Sequence, residues 1–177
     1  MPISGAAHHP LVQLARAAIT AYVRERRKIS PEEAPAAITG APAGVFVTLH
    51  QASTGDLRGC IGTIGPTEPT LAEEVINNAI SAATRDWRFY PVGPAELADL
   101  VIDVSVLYPP EPIAALTELD PKHFGVIVQR GGRRGLLLPD IEGVDDAETQ
   151  VSIARQKAGI GPEESVKLYR FRVEKYT

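Results

Sequence analysis

The chain has 177 residues, 44% hydrophobic and 23% charged, enough for one domain or one domain with two lobes, and folding should bury roughly 70% of its extended surface without a structural metal or disulfide. A net charge of −4 gives no global attraction to nucleic acid or anionic lipid, and one cysteine excludes an internal disulfide. No apolar run approaches the roughly 18 residues of a membrane span, and Met1-Pro2-Ile3-Ser4-Gly5 lacks the basic-then-apolar pattern of a signal peptide, so a reducing cytoplasmic setting is expected.

Leu11, Leu14, Ala15, Ala18 and Tyr22 recur at helical spacing, and Arg24, Arg26, Arg27 and Lys28 follow where positive charge suits the helix dipole. The Pro-, Ala- and Gly-rich stretch from Pro31 to Gly44 reads as a loop. The period then changes to two. Gly44 to His50 predicts a strand, Ser53-Thr54-Gly55-Asp56 a turn, and Leu57 to Ile64 a returning strand. Thr70 with Glu73 makes a capping box for a helix that buries Leu71, Val75, Ala79, Ala82 and Ala83.

After a loop from Trp87 to Pro94, Val101 to Tyr108 predicts a strand with Ile102, Val104, Val106 and Tyr108 on one face, and Asp103 and Ser105 on the other, which reads as solvated. Pro109, Pro110 and Pro112 end it. Phe124–Gln129 and Gly135–Leu138 form a hairpin around Gly131-Gly132, and Ala147–Ala158 a helix with Gly159 as C-cap. Val166 to Tyr176 predicts a last strand with Tyr169, Phe171 and Val173 facing the core. Hairpin-joined strands with interspersed helices, and no regular βαβ alternation, predict an α+β fold with a mainly antiparallel sheet and packed helices.

The candidate site is Leu57-Arg58-Gly59-Cys60-Ile61-Gly62. Glycines pack poorly in strands, so Gly59 and Gly62 mark a bulge or a surface that another group approaches closely. Positive charge from Arg58 lowers a thiol's pKa, which makes Cys60 a candidate nucleophile; the competing reading is a small, packed core residue. Cys60 lies opposite Thr48 or Leu49, and in the Thr48 register His50 and Arg58 share its face, where His50 can accept the thiol proton. A slip of one residue sends His50 to the other face.

Arg85-Asp86-Trp87-Arg88-Phe89 closes the second helix with two guanidiniums suited to clamping a carboxylate or phosphate, against a bland reading of surface ion pairs. Asn78, two turns before Arg85, is expected to look toward the same surface, and Ser105 is a further candidate for substrate binding. Arg130, Arg133 and Arg134 concentrate charge on a turn tip, where solvation is the ordinary fate. His8, His9, His50, His123 and Cys60 have no ligand spacing between them, so no metal site is read, nor any cofactor.

Val45-Phe46-Val47-Thr48-Leu49 followed by Leu57 to Thr63 resembles the signature of the AMMECR-type domain family. Ala82 to Asp86, Asp103 to Leu107, Gly135 to Pro139 and Ala154 to Ile160 match further, so the resemblance spans nearly the whole chain as one domain, residues 1–177. It is similar above all to the prokaryotic branch, called AmmeMemoRadiSam system protein A. The resemblance implies a larger lobe with both termini, a smaller lobe and a cleft between them, and partners of the Memo-like and radical-SAM kinds. One departure is Trp87, where the family pattern has proline. Two functions follow as expectations. In one, an enzyme or catalytic partner acts on a small anionic or electrophilic substrate at Arg58 and Cys60. In the other, the chain is a non-enzymatic module for protein interaction or nucleic-acid binding.

Overall fold

The computed structural model describes residues 8–177; Met1–Gly5, read above for a targeting signal, lie outside them. The chain runs α1 (Pro10–Glu25), β1 (Gly44–Gln51), β2 (Leu57–Gly62), α2 (Leu71–Thr84), β3 (Leu100–Leu107), β4 (Glu111–Ile113), β5 (Gly125–Arg130), β6 (Arg133–Leu137), α3 (Ala147–Ala158), β7 (Lys167–Phe171) and β8 (Val173–Tyr176). The fold is α+β, with two four-stranded sheets ordered β2-β1-β3-β8 and β4-β7-β5-β6, in which the pairs β1–β2, β4–β7, β5–β6 and β5–β7 run antiparallel. Contacts divide the chain into two units, one running up to Val106 and resuming at Lys175–Thr177, the other Leu107–Glu174.

In the first unit, α1 and α2 cover one face of the sheet. Alternation along β1 points Val45, Val47 and Leu49 inward against Leu14, Ala18, Ile19, Val75 and Ala79, and leaves Phe46, Thr48 and His50 on the opposite face. Thr70 caps α2 by accepting the Glu73 N–H. In the second unit α3 packs Val151 and Ala154 against Val126, Val128 and Leu137, and ends at Gly159 in the left-handed conformation that glycine adopts without penalty. Among the described residues no helix is long and apolar enough to cross a membrane.

Three boundaries depart from the sequence pattern. The apolar run from Val166 to Tyr176 is two strands, not one: β7 joins the second sheet and β8 the first, with the ladder broken at Arg172. Of its three expected core residues only Phe171 is buried; Tyr169 and Val173 are half-buried. Tyr108 lies past the end of β3 and is exposed. The proline-rich stretch after it still contributes β4, because its place at the sheet edge needs no N–H from Pro112 toward solvent.

Candidate functional site

β2 is an edge strand, and its motif is ordered by groups on both flanks. Thr48 lies opposite Cys60, and Phe46 opposite Gly62, so of the two registers open to the sequence the structure takes the Thr48 one. A bulge then interrupts the ladder: Leu49 faces Gly59, but His50 faces Leu57. Arg58 is the extra residue, released from strict alternation. Its guanidinium turns to the carboxylate of Glu96, with Nε donating at 2.8 Å and Nη2 at 3.2 Å, and rests 5.9 Å from the centre of the Phe89 ring. Nη1 is buried with no partner among the described residues. The pairing holds the Glu96 carboxyl below its ordinary range.

The two glycines are explained by internal packing. A Cβ on Gly59 would sit 2.2 Å from the Ala82 carbonyl oxygen of α2, and a Cβ on Gly62 would sit 2.2 Å from the Phe46 ring. Neither distance is tolerable, so glycine at these positions lets α2 close on the strand and the phenyl ring lie flat across it.

Cys60 is half-buried, on the face away from α2, with Sγ 3.4 Å from the Thr48 hydroxyl. The outward N–H and C=O of an edge strand need partners. Asp86 and Arg88 provide them. The Cys60 N–H donates to Asp86 Oδ2 at 2.9 Å, and Arg88 Nη2 approaches the Cys60 carbonyl at 3.4 Å. Asp86, itself buried, accepts from Arg88 Nε at 3.0 Å, Arg88 Nη2 at 2.7 Å and the Arg88 N–H at 3.1 Å. The Arg88 hydrogen bonds lead, with the Cys60 N–H adding to them, in holding the Asp86 carboxyl down to about 2 against the opposing effect of burial. The Phe89 N–H donates to the Asp86 carbonyl at 3.0 Å, closing a four-residue turn with Trp87 at its second position. Proline, which the resemblance leads one to expect at residue 87, favours that turn position. Tryptophan is accommodated because its side chain is 90% exposed.

The other predicted residues fall in different places. His50 shares the sheet face of Thr48, and its Nδ1 stands 3.9 Å from Asp103 Oδ2, which also faces Lys175 Nζ at 3.5 Å. Asp103 and Ser105, read from sequence as solvated, are both buried. Asn78 looks inward: its Nδ2 donates to the Val45 carbonyl at 2.9 Å and to Thr63 Oγ1 at 3.1 Å. Arg85 caps α2 through its backbone, is exposed, and makes no side-chain hydrogen bond or ion pair among the described residues. Thus the structure joins Cys60 with Thr48, Asp86 and Arg88, and His50 with Asp103, while Arg58, Asn78 and Arg85 serve other partners or none.

Two carboxylates escaped the sequence reading. Glu74 is buried in α2 and accepts from the Thr63 hydroxyl, the Thr67 N–H and hydroxyl, and the Glu68 N–H. Burial alone would raise its pKa, yet these donors outweigh it and the net direction is down. Its signal was a polar pair, Glu74 and Asn78, one turn apart on an apolar helix. Glu96 left no comparable trace. Among the described residues no three His, Cys, Asp or Glu side chains converge in a metal-binding arrangement.

Comparison with known proteins places the chain by family and fold. The AMMECR1 family model matches residues 12–176. A protein of Thermotoga maritima is 56% identical over 171 residues, covering 95% of this chain and 97% of its own. A Clostridium acetobutylicum protein is 46% identical over 94% of this chain, which spans only 36% of that longer protein. The crystal structure of an uncharacterized protein, PH0010 of Pyrococcus horikoshii, superposes with a TM-score of 0.84 at 37% identity, covering 93% of this chain and 88% of that one. With the signature strand, its edge clamp and both sheets accounted for, the chain belongs to the AMMECR1 family.

Proposed function

We propose that the protein is an enzyme, or the catalytic partner of Memo-like and radical-SAM proteins, in which Cys60 is the nucleophile toward a small electrophilic substrate carrying negative charge. One observation carries the reading: the Cys60 thiol and the His50–Asp103 pair lie on the same sheet face. These are the residue types of a nucleophile, a base and a carboxylate beside the base, gathered on one face of the sheet. In this reading the His50 imidazole, with Nδ1 3.9 Å from Asp103 Oδ2, takes the thiol proton through Nε2. The Thr48 hydroxyl, 3.4 Å from Sγ, donates to the thiolate that results. Sulfur then bonds to the electrophilic carbon, and the departing group receives the proton from His50. Arg85, exposed and without a side-chain partner among the described residues, offers its guanidinium to an anionic oxygen.

Alkylation of the native protein by iodoacetamide tests this. Cys60, the sole thiol, is expected to react in the folded state, with His50→Ala slowing it at least tenfold at neutral pH. Reaction only upon unfolding, or a rate indifferent to His50, overturns the nucleophile role.

A second reading, a protein-interaction module, has its own support. Trp87 and Tyr90 are each 90% exposed next to Arg85, and the Clostridium relative joins a homologous region to a much longer chain. Stable co-purification with a Memo-like protein, without thiol reactivity, would favour it. The nucleic-acid version has little to stand on, since Arg130 and Arg133 at the hairpin tip are held by Ser165, Gly159 and Glu164.

A further inference from the structure

The second unit holds a groove of about 350 Å3, bounded by Tyr108, Pro109, Pro110, Phe124, Arg172 and, at its rim, Glu111, whose carboxylate is paired with Arg170; it has no part in the chemistry of the first unit. Its walls are flat and stiff. Pro109 and Pro110 have fixed φ, and the buried Phe171 lies at its base. Phe124 is fastened by its own backbone, since the buried Gln150 donates Nε2 to its carbonyl at 2.9 Å. The Tyr108 hydroxyl is engaged by Glu174 Oε2 at 2.9 Å and turns an apolar ring to the groove.

Two guanidiniums flank Phe124, and their difference is informative. Arg170 lies 4.3 Å from the ring centre and is held by two partners: Nε pairs with Glu111 at 3.3 Å and Nη1 donates to the Glu118 carbonyl at 2.7 Å. Arg172 lies 5.2 Å from the same centre and makes no hydrogen bond or ion pair from its side chain among the described residues. Stacking on an aromatic ring fixes a guanidinium's plane and leaves the donors along its edge directed outward. Arg172 thus brings unengaged guanidinium donors to the edge of the apolar slot.

We propose that this groove binds a small aromatic carboxylate, its ring against the Pro109–Pro110 wall and the Tyr108 ring and its carboxylate on Arg172, which Phe124 seats. A single fork suits a carboxylate monoanion, which it meets with two parallel hydrogen bonds. The volume lies at the small end of ligand sites, of order 300–1,000 Å3, and so fits a single ring with its acid group.

The full chain, titrated with benzoate and followed by amide nitrogen–proton NMR, tests the assignment. Saturable shifts are expected at Tyr108, Phe124 and Arg172, with acetate and benzyl alcohol each at least tenfold weaker, because one lacks the ring and the other the charge. Arg172→Gln and Phe124→Leu should each weaken benzoate tenfold or more, while the rest of the spectrum, including α3, stays in place. Absence of saturable shifts in the groove, acetate binding as well as benzoate, or undiminished binding by Arg172→Gln overturns the proposal.

Discussion

Asp86 is the residue on which the order of the signature strand turns. It joins the edge of β2 to the end of α2 with one carboxylate, held down to about 2 from its ordinary 3.8 by the Arg88 and Cys60 donors. A depressed folded pKa contributes stability that is complete above about pH 4 and is lost as the pH falls toward 2, on the order of 2 kcal/mol for such a shift. Asp86→Asn should therefore cost about 2 kcal/mol at neutral pH and flatten the acid dependence between pH 4 and 2, as read from denaturant midpoints. Trp87, by contrast, is replaceable. Proline at this turn position restricts the unfolded chain, so Trp87→Pro should keep the fold and raise stability by about 0.5 kcal/mol, measured by thermal unfolding. The sequence marked the Arg-Asp-x-Arg cluster but not its target, because nothing local says that a carboxylate at residue 86 meets the N–H of residue 60.

At the scale of elements, the fit of α2 on β2 depends on the absence of a side chain at Gly59. A Cβ there meets backbone, the Ala82 carbonyl oxygen at 2.2 Å, and helix backbone cannot step aside as a side chain can. Gly59→Ala should destabilise by about 1–3 kcal/mol, as overpacking does, and lower the denaturant midpoint without changing its slope. The second unit repeats the device, since a Cβ on Gly135 in β6 would meet the Ala154 carbonyl oxygen of α3 at 1.9 Å. The pattern of two flanking glycines was visible in sequence, and its meaning as a close approach was among the readings. That the approaching group is a helix of the same chain, not a substrate, is a matter of packing. The α2 N-terminus was legible at Thr70, whose hydroxyl accepts the Glu73 N–H; the Glu73 carboxylate turns to that hydroxyl and not, as in a full capping box, to the Thr70 N–H.

For the molecule as a whole, each unit has its own sheet and apolar core. Central strands are shielded on both edges, whereas edge strands are not, so native-state hydrogen exchange should be slowest in β1 and β3 of the first unit and in β5 and β7 of the second. The β4 amides should exchange fastest among the strands, since that element is three residues long and sits at an edge. Slow exchange at β4 matching β5 would contradict this ranking.

What the sequence by itself determined was local: the three helices, Thr70 at the start of α2 and Gly159 at the end of α3, the two hairpins, the alternation of β1, the α+β class and, through its signature residues, the family. Those features rest on neighbours within a few residues, where periodicity and capping chemistry act. Only the tertiary structure decided the break at Arg172 that sends β7 and β8 to different sheets, because the apolar pattern continues unbroken through it. It alone decided that Arg58 meets Glu96, that Asn78 turns inward, that Asp103 is buried beside His50, and that Asp86 closes the strand edge at Cys60. Each of these joins groups at least fifteen residues apart, and the partner of a charge or an amide is chosen by which surfaces the packed core brings together.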